Sequence, residues 1–320
     1  MNIKRIVFLT AILFFVALLQ INAQDDAITW YNKENKTIYF FHSLLRFPSR
    51  GFIQDKSSKQ FGFADKESTA KIIFKYDTLI SQDENGFGEV KKKNFLYLID
   101  STGKEYKLAS KVSEIDSSTL VFDVRKKSLF DIPVEIFEKQ QILILWLDEN
   151  NIKTLPKEIG SLYNLTHLSL VDNQINFLPE EIEKLTKLIE LDLSLNSLNT
   201  LPPEIKNLKK LSVLSLYKNH LTTLPSEIGN LTNLIALDLG ENNITSLPSE
   251  ILNLNELLEL NLGNHEDLIP DFTGSNPTKH TFTKDEKFSK LQQLIFNKPK
   301  ISKEEKEKLT KFISHCKVYF

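Results

Sequence analysis

Apolar and polar positions repeat together along residues 118–270. In the most regular stretch, Leu224-Pro225-Ser226-Glu227-Ile228 leads into Leu231, Leu234, Leu237, Leu239, Asn242 and Ile244, so the unit reads LPxEIxxLxxLxxLxLxxNxL. Asn150, Asn173, Asn196, Asn219 and Asn242 are each 23 residues apart, and Pro133, Pro156, Pro179, Pro202, Pro225 and Pro248 keep the same step. A fixed step of this length marks a chain built from stacked turns. Leu237 and Leu239 alternate as on a short strand, while Ile228, Leu231 and Leu234 recur every three residues, as on a tightly wound helical segment. Both elements point their apolar side chains inward, and a single turn cannot bury them. Stacking closes one long core.

The asparagines belong to the same mechanics. After each strand the chain bends and leaves backbone N–H and C=O groups inside the coil, where a carboxamide can donate and accept at once. Each proline opens the outer segment, where its missing N–H costs little. These motifs resemble the leucine-rich-repeat family in its 23-residue LPxEI form, common in bacterial proteins. The resemblance implies an α/β solenoid of horseshoe form.

At the start of the array Phe122, Val124 and Leu129 occupy strand positions, with Lys127 where asparagine is expected, so seven strands are predicted. At the other end Leu260 and Leu262 keep the strand. His265 then takes the asparagine position, and the LPxEI box becomes Leu268-Ile269-Pro270-Asp271-Phe272. Residues 271–320 are expected to cover the end of the core. Phe288, Leu291, Leu294 and Ile295 follow helical spacing; Pro299 separates them from a second helix with Ser302 and Glu305 as a capping box and Leu309, Phe312 and Ile313 on one face. Val318 and Phe320 read as a closing strand, and the lone Cys316 as a buried packing residue.

Residues 24–117 have another texture. Short β-rich runs at 37–42, 60–64, 71–76, 87–92 and 94–100, punctuated by Gly51, Gly86, Gly88 and Gly103, predict an antiparallel meander. Phe61-Gly62-Phe63-Ala64-Asp65 is echoed 35 residues later by Leu96-Tyr97-Leu98-Ile99-Asp100, with Lys75-Tyr76-Asp77 between them. This resembles the bacterial WG β-repeat, although Phe61 stands for tryptophan, the second copy lacks the Trp-Gly pair and Ser68 stands where Gly103 falls.

Residues 1–23 read as an export signal: Lys4 and Arg5 precede 14 predominantly apolar positions from Ile6 to Leu19, and Ala23 closes a polar stretch. Cleavage there removes two of the 40 basic residues and none of the 42 acidic ones, leaving a balance of −4. Neither nucleic-acid binding nor stable membrane insertion of the mature chain is expected. The anticipated location is the periplasm, the cell surface or the medium.

Candidate chemistry lies on the strand face turned away from the leucines, the concave side of a horseshoe. One column reads Val121, Ile144, His167, Glu190, Val213, Ala236, Glu259, and the next reads Asp123, Trp146, Ser169, Asp192, Ser215, Asp238, Asn261. The third reads Arg125, Asp148, Val171, Ser194, Tyr217, Gly240, Gly263. His167, Ser169 and Asp192 share this face, but an open sheet offers neither a strained elbow nor a water-excluding pocket, so no enzyme is expected. No metal motif or phosphate loop is present, and no cofactor is expected. The leading function is protein recognition through Trp146, His167, Glu190, Asp192, Tyr217, Asp238 and Glu259, with carbohydrate adhesion or an envelope-structural role as the alternative. The acidic excess of Glu190, Asp192, Asp238, Glu241 and Glu259 over Lys218 favours a partner with a basic surface.

Overall fold

The structure, a computed structural model, describes residues 30–31, 37–38, 50–54, 61–65, 77–82, 88–99, 104–263, 290–296, 307 and 316–319. The expected export signal, His265, the altered box at 268–272, the run at 71–76 and the capping box at 302–305 lie outside them. Two compact units divide at Phe122/Asp123, with Lys111–Ser113 grouping with the second.

In the first unit β1 (Trp30–Tyr31) pairs antiparallel with β2 (Thr37–Ile38), and β3 (Arg50–Gln54) with β4 (Phe61–Asp65). A meander follows from β5 (Thr78–Gln82) through β6 (Gly88–Lys92) and β7 (Phe95–Ile99) to β8 (Glu105–Ala109). β9 (Thr119–Asp123) then pairs parallel with β8. Val90, Leu98, Ile99, Leu108, Val121 and Phe122 are buried between these strands. Asp116 ties the β8–β9 connection by accepting from Lys107 Nζ and from Ser118 N at 2.9 Å. Those donors hold its carboxyl well below the usual range. Strands β3, β5 and β8 were not singled out by the hydrophobic pattern; Glu105–Ala109 alternates too weakly to stand out from a loop.

The second unit is a solenoid. Strands β10 (Ile144–Trp146), β11 (His167–Ser169), β12 (Glu190–Asp192), β13 (Val213–Ser215), β14 (Ala236–Asp238) and β15 (Glu259–Gly263) pair parallel in sequence order. Each outer segment is a five-residue 3-10 helix that begins after the repeat proline, as in Ser226–Asn230 after Pro225. Its hydrogen bonds explain the three-residue spacing: Ile228 N donates to Pro225 O at 3.1 Å, Leu231 N to Ile228 O at 3.0 Å and Leu234 N to Leu231 O at 2.8 Å. With three residues per turn these side chains stack on one inward face, and all three are buried.

Between strand and outer segment each asparagine bridges neighbouring turns. Asn196 Nδ2 donates to Leu170 O at 2.8 Å and to Leu193 O at 3.1 Å, while its Oδ1 accepts Ile175 N at 2.9 Å. Asn150, Asn173, Asn219 and Asn242 make the equivalent bonds. The chain enters this bend through a left-handed residue in every turn: Lys126, Glu149, Asp172, Leu195, Lys218 and Glu241 all have φ between 53° and 59°.

The helix expected through Phe288, Leu291, Leu294 and Ile295 is corrected: β16 (Gln293–Phe296) is a strand, and it pairs parallel with β15. Leu291-x-x-Leu294-x-Phe296 is the repeat's own spacing, the same as Leu234-x-x-Leu237-x-Leu239, and a three-residue step alone does not separate the two elements. β17 (Lys317–Tyr319) adds a further parallel strand, with Leu260, Leu294 and Val318 in one row. The sheet therefore continues beyond the expected stop near residue 270. Cys316 is buried beside this row, and burial pushes its thiol up to about 11.

Two outcomes test this packing. Asn196→Ala leaves buried backbone groups unpaired, and denaturation should register a loss of about 1–3 kcal/mol, against about 2–5 kcal/mol for the core control Leu193→Ala. Removing residues 285–320 strips β16 and β17 from β15; size-exclusion chromatography should show association in place of a monodisperse species.

Candidate interaction surface

The parallel pairing sets the outward side chains in columns. Ile144, His167, Glu190, Val213, Ala236 and Glu259 form the first, and it continues to Gln293. Trp146, Ser169, Asp192, Ser215, Asp238 and Asn261 form the second, continued by Ile295. The backbone ladder extends one step past the strands, with Leu195 N donating to Tyr217 O and Lys218 N to Gly240 O, both at 2.8 Å, which aligns the third column.

Much of the second column is bound to the fold itself. Asp192 Oδ1 accepts Ser194 N at 2.9 Å and Ser194 Oγ at 2.6 Å, Asp238 Oδ1 accepts Gly240 N at 2.8 Å, and Asn261 Oδ1 accepts Gly263 N at 3.0 Å. Asp123 does the same for Arg125 N at 3.1 Å. These side chains brace the end of each strand against the left-handed bend. Asp192, Asp238 and Glu259, which the sequence offers as open contact residues, are buried. For the two aspartates the signal is a short acceptor three residues before the left-handed residue of the bend.

The aromatic residues are also engaged. The Arg125 guanidinium lies 4.4 Å from the Trp146 ring centroid and is anchored by Asp123 through Nε at 2.9 Å and Nη2 at 2.6 Å. Tyr217 lies against the bare α-carbon of Gly240, where an added Cβ would sit 3.2 Å from Tyr217 Cδ2, Asp238 Oδ1 and Asn261 Nδ2. Both rings stay partly exposed.

Ser169, His167 and Asp192 do not assemble a nucleophile. Ser169 Oγ donates to Asp148 Oδ1, and His167 Nδ1 lies 2.9 Å from Thr166 Oγ1. Burial pushes the imidazole down to about 4, so it is neutral near pH 7. His167 Nε2 is 4.0 Å from Glu190 Oε2. Among the described residues no group of three or more His, Cys, Asp or Glu side chains is placed to hold a metal ion.

Electrostatics set this face apart. Burial, then the charge of Asp192, raises Asp148, which settles near 6 against the pull of Ser169, Val171 and Arg125. Asp192 is raised to about 6 by burial and by Asp238, against its Ser194 bonds. Burial followed by the charge of Asp238 lifts Glu259 to about 7, and Glu190 is driven well above its usual value by burial, Asp192 and Asp148. Glu259 Oε2 is buried with no hydrogen-bond partner.

Residues 203–278 match the family described as "Leucine-rich repeat region", and residues 164–185 and 187–208 match "Leucine Rich Repeat". The chain thus carries leucine-rich repeats. Among solved structures, an internalin from Listeria monocytogenes is similar at 20% identity over 66% of this chain and 57% of its own, with a TM-score of 0.51. A leucine-rich-repeat protein of Leptospira interrogans is similar at 28% identity over 64% of this chain and 61% of its own, with a TM-score of 0.38. The leucine-rich-repeat ectodomain of a plant membrane receptor kinase from Arabidopsis thaliana, solved in complex with Casparian strip integrity factor 2, is similar at 28% identity over 57% of this chain and 25% of its own, with a TM-score of 0.39. The chain spans less than two thirds of each of these structures. A search of curated proteins returns no match. No helix among the described residues is long and apolar enough to cross a membrane.

The raised carboxyls make a pH prediction with a definite sign. An acid whose folded pKa lies above its unfolded one favours the fold while protonated and loses that stabilisation as pH rises between the two values. For Glu259 that window runs from about 4.5 to about 7. His167, depressed to about 4, acts oppositely as pH falls below 6.5. Glu259→Gln should therefore stabilise the protein by about 1–3 kcal/mol at pH 8 and have almost no effect at pH 4, measured as the difference between the variant's and the parent's denaturation curves.

Proposed function

We propose that this protein is an exported, non-enzymatic recognition module that holds a polypeptide partner on the concave side of its repeat array. Leucine-rich-repeat proteins are typically protein-interaction scaffolds without catalytic activity. The observation that carries the reading is the set of carboxyls at Asp148, Glu190, Asp192 and Glu259, raised by burial and mutual repulsion on an outward face whose core is already closed by leucines. Such groups work against stability, and together with the family's usual role they single out this face of the array. Export rests on Lys4, Arg5, the apolar run at 6–19 and Ala23. In this reading the repeats are of the bacterial 23-residue LPxEI type, residues 24–117 form a WG-like β-domain, and residues 271–320 close the array.

Protein is favoured over carbohydrate as the partner. The Trp146 ring is covered by Arg125 and the Tyr217 ring leans on Gly240, so neither offers an open platform for a sugar ring. A protein with a basic surface suits the acidic face, while Arg125 places a positive charge at its first turn.

Affinity purification of the mature chain from its native envelope fraction tests the proposal. A captured protein should lose about tenfold or more in affinity with Trp146→Ala or Tyr217→Ala, because aromatic anchors carry a disproportionate share of interface energy. Rising salt should slow its association. Lys184→Ala and Lys206→Ala in the outer segments should leave affinity unchanged. Full affinity in the concave variants with loss in the outer ones would place the interface on the other face.

A further inference from the structure

The bend edge of the array carries a fourth column, one residue beyond the three on the sheet. Lys126, Glu149, Asp172, Leu195, Lys218 and Glu241 hold the same place in successive turns, each with φ between 53° and 59°. The backbone ladder keeps them in line: Asp172 N donates to Ser194 O at 3.0 Å, and Leu195 N to Tyr217 O and Lys218 N to Gly240 O, both at 2.8 Å. This column is open to solvent, with Asp172 and Lys218 exposed and Leu195 half-buried. All its members are charged except Leu195. A left-handed backbone crowds Cβ against the following carbonyl oxygen, and a bulky apolar residue is seldom found there. Glycine would take the same conformation without that cost. The core does not claim the leucine either, since its side chain stays partly exposed.

The charges beside Leu195 are unpaired. Lys126 Nζ meets Glu149 Oε1 at 3.0 Å, but among the described residues no lysine or arginine pairs with Asp172 and no carboxylate pairs with Lys218. With a strand spacing of about 4.8 Å, Asp172 and Lys218 stand about 10 Å apart and Leu195 lies midway. Acid, leucine and base in this order are complementary to themselves under a two-fold rotation. A second copy laid antiparallel, with the axis at Leu195, sets Asp172 against Lys218, Leu195 against Leu195, and Lys218 against Asp172. Further from the axis Glu149 comes opposite Glu241, but the charge of Glu149 is already met by Lys126.

We propose that this edge is an interface between two copies of the chain, related by a two-fold axis at Leu195, with two Asp172–Lys218 ion pairs flanking a leucine–leucine contact. Such an interface is isologous and closed, so it stops at a dimer. Its centre is apolar and its rim charged, the usual arrangement of a specific contact. The second copy covers the one apolar side chain that the bends leave open, and it supplies both unpaired charges with a partner. The contact spans only three turns of each copy, which is small among stable interfaces, so the dimer dissociates on dilution. It lies beside the sheet face and uses none of the residues on which the recognition reading rests.

Analytical ultracentrifugation of the mature full-length chain at low ionic strength should show a monomer–dimer equilibrium that moves toward monomer on dilution and with added salt. Asp172→Lys and Lys218→Asp should each weaken the dimer about tenfold or more, because each sets two like-charge pairs across the axis. Mixing these two single variants should restore a one-to-one dimer, since every pair across the axis is then of opposite charge, and the double variant Asp172→Lys/Lys218→Asp should dimerise alone. Leu195→Gly should abolish the dimer while leaving the denaturation midpoint unchanged or raised; a leucine serving only the packing of its own chain would lower it. Glu227→Lys in an outer segment should leave the dimer intact. Denaturation curves confirm that each variant is folded. A chain that stays monomeric up to about 200 µM, where even weak specific contacts of this size are populated, would overturn the proposal. So would a dimer indifferent to Asp172→Lys, a mixture of the single variants that fails to associate, or a dimer that survives Leu195→Gly and is lost with Trp146→Ala.

Discussion

Five successive turns of the solenoid depend on a carboxamide at the bend, buried at Asn150, Asn173, Asn196 and Asn219. The bend after each strand must turn the chain inward past a left-handed residue, and the groups exposed there have no water to bind. Asn173, Asn196 and Asn219 satisfy them by donating to carbonyls of their own and the preceding turn while accepting an N–H from the preceding turn. A leucine of similar size could fill the space but could not complete those bonds. The carboxamide fixes the step between turns, and that step sets the register of all three columns on the sheet face.

This constraint also explains which parts of the structure can be read from the sequence. Asparagine, proline and leucine recur because bend, outer segment and core each demand them, so the rows through Leu168, Leu191 and Leu214 follow from counting residues. Counting fails where the step changes. Leu260, Leu294 and Val318 form one row although they are separated by 34 and 24 residues, and the irregular spacing disguises β16 as a helix. The meander was visible in outline from alternation at residues 87–100, but Glu105–Ala109 has too little contrast between its faces.

The outward columns were assigned correctly as positions, while their physical roles were not visible in residue type. Asp192 and Asp238 look from sequence like surface acids. In three dimensions each folds back on a backbone N–H two residues later, and Trp146 is stacked by an arginine from the turn before it. A carboxylate's partner is decided by the backbone conformation around it, which here depends on the left-handed bend at the following turn. A pattern of side-chain types does not carry that information.

What remains after the fold has taken its share is informative. The leucines hold the core, the asparagines hold the bends, and the second-column acids brace the strand ends, so substitution at any of them disturbs the scaffold. Glu259 has no such duty: its Oε2 is buried without a hydrogen-bond partner. A glutamine at Glu259 would keep the shape and lose the repulsion from Asp238, and would favour folding at neutral pH. A repeat scaffold that stacks on its leucines is indifferent to whether this position is charged, so the chain bears an avoidable electrostatic cost on the outward face of its sheet.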